Sequence, residues 1–235
     1  METGLKKGIF YGVGVGPGDP ELLTLKAIRL LERCPVIAAP RTKSGEMLAL
    51  EIASGAADLD GKTVLPLDFS MERDRAKQRA AHLAAADLVE PYLAKGLDVA
   101  MLNLGDVSIY ATYSYLMELF KDRGYETVMI PGVPSFCAVA ARLGISLTEP
   151  DSPLHIAPGG AGLAETLDLR GTKVLMKSGR QMPAVLEALA SKGALGKSAL
   201  VRNCGLPGEA VCPDLSKAVP GEDSMGYFAT VIVKE

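Results

Sequence analysis

A glycine-rich run near the start of the chain constrains the fold most strongly. Residues 9–20 read IFYGVGVGPGDP, an apolar segment that passes directly into glycines and a proline. The glycines allow close approach of backbones, and Asp19 followed by Pro20 is a typical helix start, because Asp caps free N–H groups and Pro lacks one. The pattern predicts a buried strand over residues 9–15, a tight turn and a helix, as in an α/β domain.

The run matches neither common phosphate-binding fingerprint. A dinucleotide-binding G-x-G-x-x-G needs a third glycine where this run has Pro17 or Asp19. A P-loop needs Lys and Ser/Thr after its second glycine, but Gly18 is followed by Asp19 and Pro20, which puts a carboxylate where phosphate would lie. Spacing alone leaves two alternatives open: a purely structural βα turn, or a binding loop for a ligand other than phosphate.

Composition excludes several functional classes. A chain of 235 residues with 48% hydrophobic content can bury a sizeable core in one or two domains. The net charge of -3 and the lack of Trp argue against nucleic-acid binding. No apolar stretch approaches the about 18 residues of a membrane span, and the first residues lack a signal-peptide core, so no membrane partner and a cytoplasmic location are expected. The 4 cysteines form no C-x-x-C pair and there are 2 histidines, so no metal site is predicted.

Apolar segments alternate with amphipathic ones up to about residue 147. Strands are predicted at residues 9–15, 36–39, 64–67, 97–104 and 127–130, and helices at 20–33, 47–53, 73–95, 112–121 and 137–143. Helices between strands favour a mainly parallel sheet, and ligands bind such sheets at the carboxyl ends of the strands. Three glycine-bearing turns fall there, at residues 12–20, 105–110 and 132–135, which predicts one shared crevice.

The pattern of predicted strands and helices changes after a Pro-rich, polar stretch at residues 144–153, which is typical of a linker. The predicted domains are therefore an N-terminal α/β domain, residues 1–147, and a C-terminal α+β domain with a mixed sheet, residues 148–235. Predicted strands of the second domain are residues 154–157, 173–176, 199–203 and 227–233, with one helix at 182–191. Residues 205–225, rich in Gly, Pro and charge, are left open between hairpin and loop.

Together these motifs resemble the tetrapyrrole (corrin/porphyrin) methylase family over essentially the whole chain. The resemblance rests on the opening run, on Gly-Asp at 105–106, Pro-Gly-Val at 131–133, Met-Lys at 176–177 and the closing strand at 227–233. Within the family, residues 105–116 and 131–138 are most similar to the precorrin-2 C-20 methyltransferases. One departure is Val107, where the family usually has proline; valine restores an N–H and frees the backbone, which predicts a less rigid loop.

The resemblance implies two α/β domains with S-adenosylmethionine bound in the cleft between them, and usually a homodimer. The implied reaction is methyl transfer to C-20 of precorrin-2 or cobalt-factor II in cobalamin biosynthesis, with S-adenosylhomocysteine as the product of the cofactor. Backbone groups supply most cofactor contacts in this family. Carried over residue by residue, these contacts involve Pro17, Gly105, Asp106, Val107, Ile109, Tyr110, Pro134, Ser135, Met176, Cys204 and Thr230.

The resemblance also frames the catalytic and substrate-binding candidates. Methyl transfer mainly needs alignment and exclusion of water, but a base must remove the C-20 proton, and Asp106 and Tyr110 are the candidates. Asp106 is equally well interpreted as a turn former that ties down neighbouring N–H groups. The acetate and propionate groups of the substrate call for cations near predicted strand ends. Those candidates are Arg41, Lys177, Arg180 and Arg202.

Two alternatives remain at this stage. One is a sister methylase that acts at another ring carbon or on another acceptor, and the other is a non-catalytic module that binds the cofactor. Fold alone cannot separate them. His155, within a predicted strand, is better explained as a half-buried strand histidine than as a cobalt ligand.

Overall fold

The computed structural model describes residues 6–70, 74–160, 162–217 and 228–235, with only the backbone of Arg180. Contacts between Cα atoms divide the chain into two compact units, one ending at Pro134 and the other beginning at Ser135. Each unit is built on its own five-stranded sheet.

The sheet of the first unit is parallel throughout. Its strands are β1 (Phe10–Gly14), β2 (Val36–Arg41), β3 (Thr63–Asp68), β4 (Val99–Asn103) and β5 (Thr127–Ile130). They lie in the order β3-β2-β4-β1-β5, and each neighbouring pair is parallel. All five strands were predicted from their apolar segments, and the mainly parallel sheet is confirmed.

Four α-helices connect these strands. They are α1 (Leu25–Arg33), α2 (Leu48–Ser54), α3 (Arg75–Ala94) and α4 (Tyr113–Asp122). Buried side chains of α3 and α4, among them Val89 and Phe120, form one hydrophobic cluster with Phe10 of β1 and Met101 of β4. This cluster holds one face of the sheet against the two helices.

The first helix begins later than the sequence predicted. The carboxylate of Asp19 does accept a hydrogen bond from the Glu21 N–H at 2.9 Å, but it caps only a short 3-10 turn over Pro20–Leu22. The chain is extended again at Leu23, and Thr24 caps α1 by accepting from the Ala27 N–H at 3.2 Å. The predicted end is confirmed, because α1 stops at Cys34, just before a proline.

The second unit contains a mixed sheet, as predicted. Its strands are β6 (Leu154–Pro158), β7 (Thr172–Met176), β8 (Ser198–Arg202), β9 (Ala210–Cys212) and β10 (Ala229–Val233). Their order is β6-β7-β10-β8-β9, with β6 and β7 parallel and the other pairs antiparallel. The helices are α5 (Ser135–Leu143), α6 (Leu163–Asp168) and α7 (Met182–Ser191).

Helix α5 was predicted to belong to the first domain, whereas its contacts belong to the second unit. Val139 and Ala140 of α5 form a buried cluster with Val201 of β8 and Ile232 of β10. The compact units therefore divide before α5, earlier than the boundary predicted after residue 147, because the apolar face of this helix covers the second sheet.

Two smaller elements of the second unit were not predicted as such. Helix α6 has 6 residues, too few for a periodic apolar pattern to be recognised. Strand β9 lies inside the stretch 205–225 that was left open between hairpin and loop. Residues 218–227, which include the first residue of the predicted closing strand, lie outside the described residues. None of the helices in the described part of the chain is long and apolar enough to cross a membrane.

Candidate active site

The topology of the first sheet marks a ligand-binding position. Strands β1 and β4 are neighbours, but the chain leaves β1 towards β2 on one side and leaves β4 towards β5 on the other. Such a reversal opens a crevice outside the carboxyl ends of the two strands, where α/β proteins bind ligands. The predicted turns after β1, β4 and β5 all lie at this edge, because the three strands are adjacent and parallel.

Four glycines bring these turns into backbone contact. A Cβ atom added to Gly14 would lie 2.7 Å from both the Gly105 carbonyl oxygen and the Gly132 nitrogen. Gly16 and Gly105 form an antiparallel bridge, in which the Gly105 N–H donates to the Gly16 oxygen at 2.7 Å and the Gly16 N–H donates back at 3.2 Å. Gly105 has φ +70, a conformation that other residues adopt only with strain. A side chain at Gly14 or at Gly132 would push the turns apart.

Asp106 fastens the turn after β4 to the turn after β5. One carboxylate oxygen accepts from the Ser108 N–H at 2.8 Å and from the Ser108 hydroxyl, and the other accepts from the Gly132 N–H at 2.8 Å. Partial burial acts to raise the pKa of Asp106, but the hydrogen bonds from Ser108, Gly132 and Val107 outweigh it, so that the pKa is lowered. An ionised carboxylate with these donors is a poor proton acceptor at neutral pH.

Val107 anchors its loop, contrary to the expectation of a looser one. Its side chain is only 2% exposed and packs in the cluster beneath α3 and α4. The loop thus gains a side-chain anchor in place of the ring constraint.

The other predicted cofactor-binding residues of the first unit lie on the same three turns. Pro17, Ile109 and Pro134 are half-buried, whereas the Tyr110 side chain is 44% exposed. Tyr110 has φ +50, which is rare for a residue with a side chain and turns the backbone sharply before α4. These irregular turns place backbone groups and two carboxylates, those of Asp19 and Asp106, at the sheet edge, but residues 12–20, 104–111 and 131–134 contain no Lys, Arg or His.

Arg41 ends β2 at the same edge but is already paired. Its guanidinium donates from Nε to Asp68 Oδ1 at 3.0 Å and from Nη2 to Oδ2 at 2.6 Å, and the two residues are register partners on β2 and β3. The hydrogen bonds that the guanidinium donates to the Asp68 carboxylate raise the pKa of Arg41. The Asp68 carboxylate therefore occupies the edge of the Arg41 guanidinium that would bind a second carboxylate best.

In the second unit, the predicted cofactor-binding residues gather on one face and at one end of the sheet. Thr230 is two residues before Ile232 on β10, so both point towards α5. Cys204 packs against the same cluster, and burial raises the pKa of its thiol. Met176 ends β7 next to β10, and Ser135 begins α5.

The predicted basic residues of the second unit lie at that same end of the sheet. Arg202 ends β8, and Lys177 follows β7 with φ +54. Desolvation by the protein around the Lys177 ammonium lowers its pKa. Arg180 lies in the short turn before α7, and its side chain is outside the described part. His155 lies with Nε2 2.9 Å from the Arg170 carbonyl oxygen on a half-buried strand, which fits a structural role.

Sequence reasoning missed Tyr113, which supports the site from below. Its fully buried ring lies against Gly12, where a Cβ would come within 2.6 Å of ring carbons, and its hydroxyl lies 3.1 Å from the carbonyl oxygens of both Phe10 and Val128. The signal was Gly12 itself, because a glycine inside a buried strand indicates a close neighbour. Thr24 was also missed as a link between turns: its hydroxyl donates to the Pro131 oxygen at 3.4 Å.

Comparison with known proteins decides the family. The sequence profile of the tetrapyrrole (corrin/porphyrin) methylases matches residues 10–219, well over half of the chain. The chain belongs to the tetrapyrrole methylases. The predicted family, the methyltransferase class and the two-sheet α/β fold are thereby confirmed.

Individual relatives agree with this membership. A probable cobalt-precorrin-2 C(20)-methyltransferase of Methanocaldococcus jannaschii is 38% identical over 169 residues, 72% of this chain and 71% of that protein. A precorrin-2 C(20)-methyltransferase of Sinorhizobium sp. is 32% identical over 244 residues, 98% of this chain and 97% of that protein. A crystal structure of uroporphyrin-III C-methyltransferase from Thermus thermophilus, complexed with S-adenosylhomocysteine, matches with a TM-score of 0.69 at 22% identity and covers 97% of this chain and 98% of that one.

Proposed function

We propose that this tetrapyrrole methylase transfers the methyl group of S-adenosylmethionine to C-20 of precorrin-2, or of its cobalt complex, in cobalamin biosynthesis. Two of the three named relatives carry C(20) in their names, one for the metal-free and one for the cobalt-containing ring. The relative that aligns over 98% of this chain supports the assignment along nearly its whole length.

The observation that carries the proposal is the charge of the three turns after β1, β4 and β5, residues 12–20, 104–111 and 131–134, which we call the crevice loops. The turns after β1, β4 and β5 present backbone groups and carboxylates without a cation, which disfavours a phosphate-bearing cofactor and suits a sulfonium with an amino acid and a nucleoside. The contacts predicted for Pro17, Gly105, Val107, Ile109, Tyr110 and Pro134 would come from these turns. Those predicted for Ser135, Met176, Cys204 and Thr230 would come from the end of the second sheet.

When bound, the cofactor supplies an activated methyl group, whose bond to sulfur breaks as the new bond to carbon forms. The protein has to align the ring carbon, exclude water and accept the C-20 proton. The bridge between Gly16 and Gly105 and the bonds of Asp106 give the loops the rigidity that alignment needs.

We assign Asp106 to positioning rather than to proton transfer. Its carboxylate is fully engaged by N–H and O–H donors, and these lower its pKa, so it accepts a proton poorly at neutral pH. Tyr110, on the same loop and exposed, remains the predicted candidate for the proton acceptor. A Tyr110→Phe variant that methylates at the wild-type rate would remove that role.

The proposal is tested by mass spectrometry of turnover mixtures. The purified chain is incubated anaerobically with S-adenosylmethionine and, in parallel, with precorrin-2 and with cobalt-factor II. We expect a gain of one methyl group on at least one acceptor, and the relative rate identifies the preferred ring. A chain that binds S-adenosylmethionine but methylates neither ring would point to a sister methylase, if another tetrapyrrole is methylated, or to a binding module, if none is.

We further propose that the protein is a homodimer, as the family resemblance implies, and that it acts in the cytoplasm. Light scattering coupled to gel filtration measures the mass directly. A mass near 49 kDa, twice the 24.7 kDa of the chain, supports the dimer, and a mass near 24.7 kDa contradicts it.

A further inference from the structure

The loop between β8 and β9 has a backbone conformation that depends on its surroundings. In this loop, residues 203–209, three residues have a positive φ: Asn203 at +49, Gly205 at +75 and Gly208 at +76. Asn203 carries a side chain in a region that glycine adopts more readily, so this conformation persists only where contacts fix it. We call this segment the β8–β9 loop, and it contains Cys204, one of the predicted cofactor-binding residues.

One carboxylate closes the β8–β9 loop and ties it to α5. Glu209 Oε2 accepts from the Gly205 N–H at 2.9 Å, and its Oε1 accepts from Nε of Arg142, in α5, at 2.5 Å. The Asn203 side-chain amide also crosses the loop, but it lies 3.5 Å from each of two carbonyl oxygens, which is long for a hydrogen bond. The carboxylate therefore holds the loop more tightly than the amide does.

The charge of Glu209 is fixed by the same two donors. The hydrogen bond from Gly205, and after it the one from Arg142, lowers the pKa of Glu209 below its usual value. The carboxylate is therefore ionised at neutral pH, which strengthens both bonds. Because the Arg142 side chain is 55% exposed, the ion pair adds little to the free energy of unfolding. What the pair determines instead is the position of the loop.

Cys204 lies directly before the closed part of the loop. Its side chain packs against the buried cluster between α5 and the sheet. Burial and the charge of Glu209 raise the pKa of the Cys204 thiol, whereas Arg142 acts to lower it, so the three side chains lie close together. Neighbouring residues of the loop are thus attached to the same helix, Cys204 by packing and Gly205 through the Glu209 carboxylate.

We propose that Glu209 and Arg142 are positioning residues, which hold the backbone at Cys204 in the conformation that binds S-adenosylmethionine. This rests on the proposed function in one respect, the predicted contact between Cys204 and the cofactor. Neither charged side chain needs to touch the cofactor, because both act through the Gly205 N–H and α5. A small displacement of a binding loop weakens binding even when the altered residue is remote from the ligand.

The test compares four variants of the full-length protein. Glu209→Gln removes the charge and one of the two acceptor oxygens, Arg142→Gln removes the partner, and Arg142→Lys restores a cation without the Nε donor. The fourth combines Glu209→Gln with Arg142→Gln. Lys217→Gln is the matched control, because Lys217 is also half of an ion pair in the second unit, with Asp214, and its side chain is 82% exposed. Isothermal titration gives the Kd for S-adenosylmethionine, and urea unfolding gives the stability.

We expect Glu209→Gln to raise the Kd for S-adenosylmethionine about 10-fold, as for the loss of a hydrogen bond to a charged group. Arg142→Gln should raise it about fivefold, since the Gly205 bond remains, and Arg142→Lys should raise it less. The double variant should bind within about twofold of Glu209→Gln, because effects on one shared contact do not multiply. Lys217→Gln should bind as the wild type does.

A wild-type Kd in folded Glu209→Gln overturns the proposal. Effects on the Kd that multiply in the double variant overturn the joint role of the two residues. If Glu209→Gln does not fold, Arg142→Gln decides alone, since its site is largely exposed and a wild-type Kd there overturns the proposal equally.

Two further readouts separate positioning from a merely structural role and from the proposed function. The value of kcat at saturating cofactor should stay within about threefold of the wild type, with the loss confined to the KM for S-adenosylmethionine. A variant that loses stability while its folded molecules keep the wild-type Kd has lost a structural contact only, which contradicts the proposal. Cofactor binding needs no acceptor ring, so a chain that fails to methylate C-20 overturns the proposed function and leaves this test unaffected.

Discussion

Asp106 holds the turns after β4 and β5 together with a single carboxylate. Asp106→Asn removes an acceptor for the Gly132 N–H and puts an amide donor in its place. We expect the Kd for S-adenosylmethionine to rise about 10-fold while kcat stays within about threefold. A kcat that falls by more than about 100-fold with unchanged cofactor affinity would instead assign Asp106 as the base.

The lowered pKa of Asp106 also fixes a pH dependence. Because the folded pKa lies below the unfolded value of about 3.9, the carboxylate stabilises the loop at all pH values above that, and the contribution is lost as the pH falls through the folded pKa. Cofactor affinity in the wild type should therefore show no Asp106-dependent change between about pH 5 and pH 8. An affinity step in this range that Asp106→Asn abolishes would contradict the lowered pKa.

Gly105 tests the close approach of the crevice loops. Gly105→Val forces a branched side chain into a φ of +70 beside the bridge to Gly16, and we expect cofactor binding to weaken well beyond tenfold, or about 1.4 kcal/mol. Gly144→Val is the matched control, since Gly144 has φ +66 but nothing within 4 Å of an added Cβ. Isothermal titration with S-adenosylmethionine should show the loss only at Gly105; equal affinities in the two variants would contradict the assigned loop.

At the scale of elements, β1 depends on α4 through one tyrosine. The Tyr113 hydroxyl lies beneath the strand, 3.1 Å from two backbone carbonyl oxygens, and burial raises its pKa strongly. Tyr113→Phe should lower the free energy of unfolding by about 1 kcal/mol, because the carbonyls lose a buried donor. Tyr115→Phe, on the same helix with a side chain 59% exposed, should change it by less than about 0.5 kcal/mol. Urea unfolding that ranks the two variants equally would contradict this role.

Elements were predicted well where one physical signal dominated. Apolar runs placed all strands of the parallel sheet, and Cys34 before a proline marked the end of α1. Helix α5 was found but assigned to the wrong neighbours, because a sequence shows that a helix has an apolar face and not which sheet the face covers. The start of α1 was missed because Asp19 and Thr24 both offer caps, and the extended Leu23 between them is not visible in the pattern.

The candidate site was predictable in its position and less so in its roles. Glycine-bearing turns after adjacent strands pointed to the carboxyl edge of the sheet, where the structure brings Gly14, Gly105 and Gly132 together. The sequence could not show which of the basic residues is already paired within the protein. Only contacts reveal that Arg41 is bound to Asp68, while the Arg202 Nε has no hydrogen-bond partner. Val107 was misjudged for the same reason: its buried side chain depends on residues far away in the chain.

For the whole molecule, two units of different sheet type serve one reaction in this account. The parallel sheet offers cation-free loops suited to a sulfonium cofactor, and the mixed sheet ends in basic side chains suited to a carboxylated ring. The account thus predicts that variants of the glycine loops change cofactor affinity, and that variants of the predicted substrate-binding residues Lys177 and Arg202 change the KM of the ring.

The most direct test of the central claim is the position of the transferred methyl group. The chain is incubated anaerobically with precorrin-2 or cobalt-factor II and with S-adenosylmethionine labelled with ¹³C in its methyl group, and the product is analysed by NMR. The account predicts one labelled methyl group, attached to C-20 of the ring. A labelled methyl group at another ring carbon, or none on either ring, would contradict it.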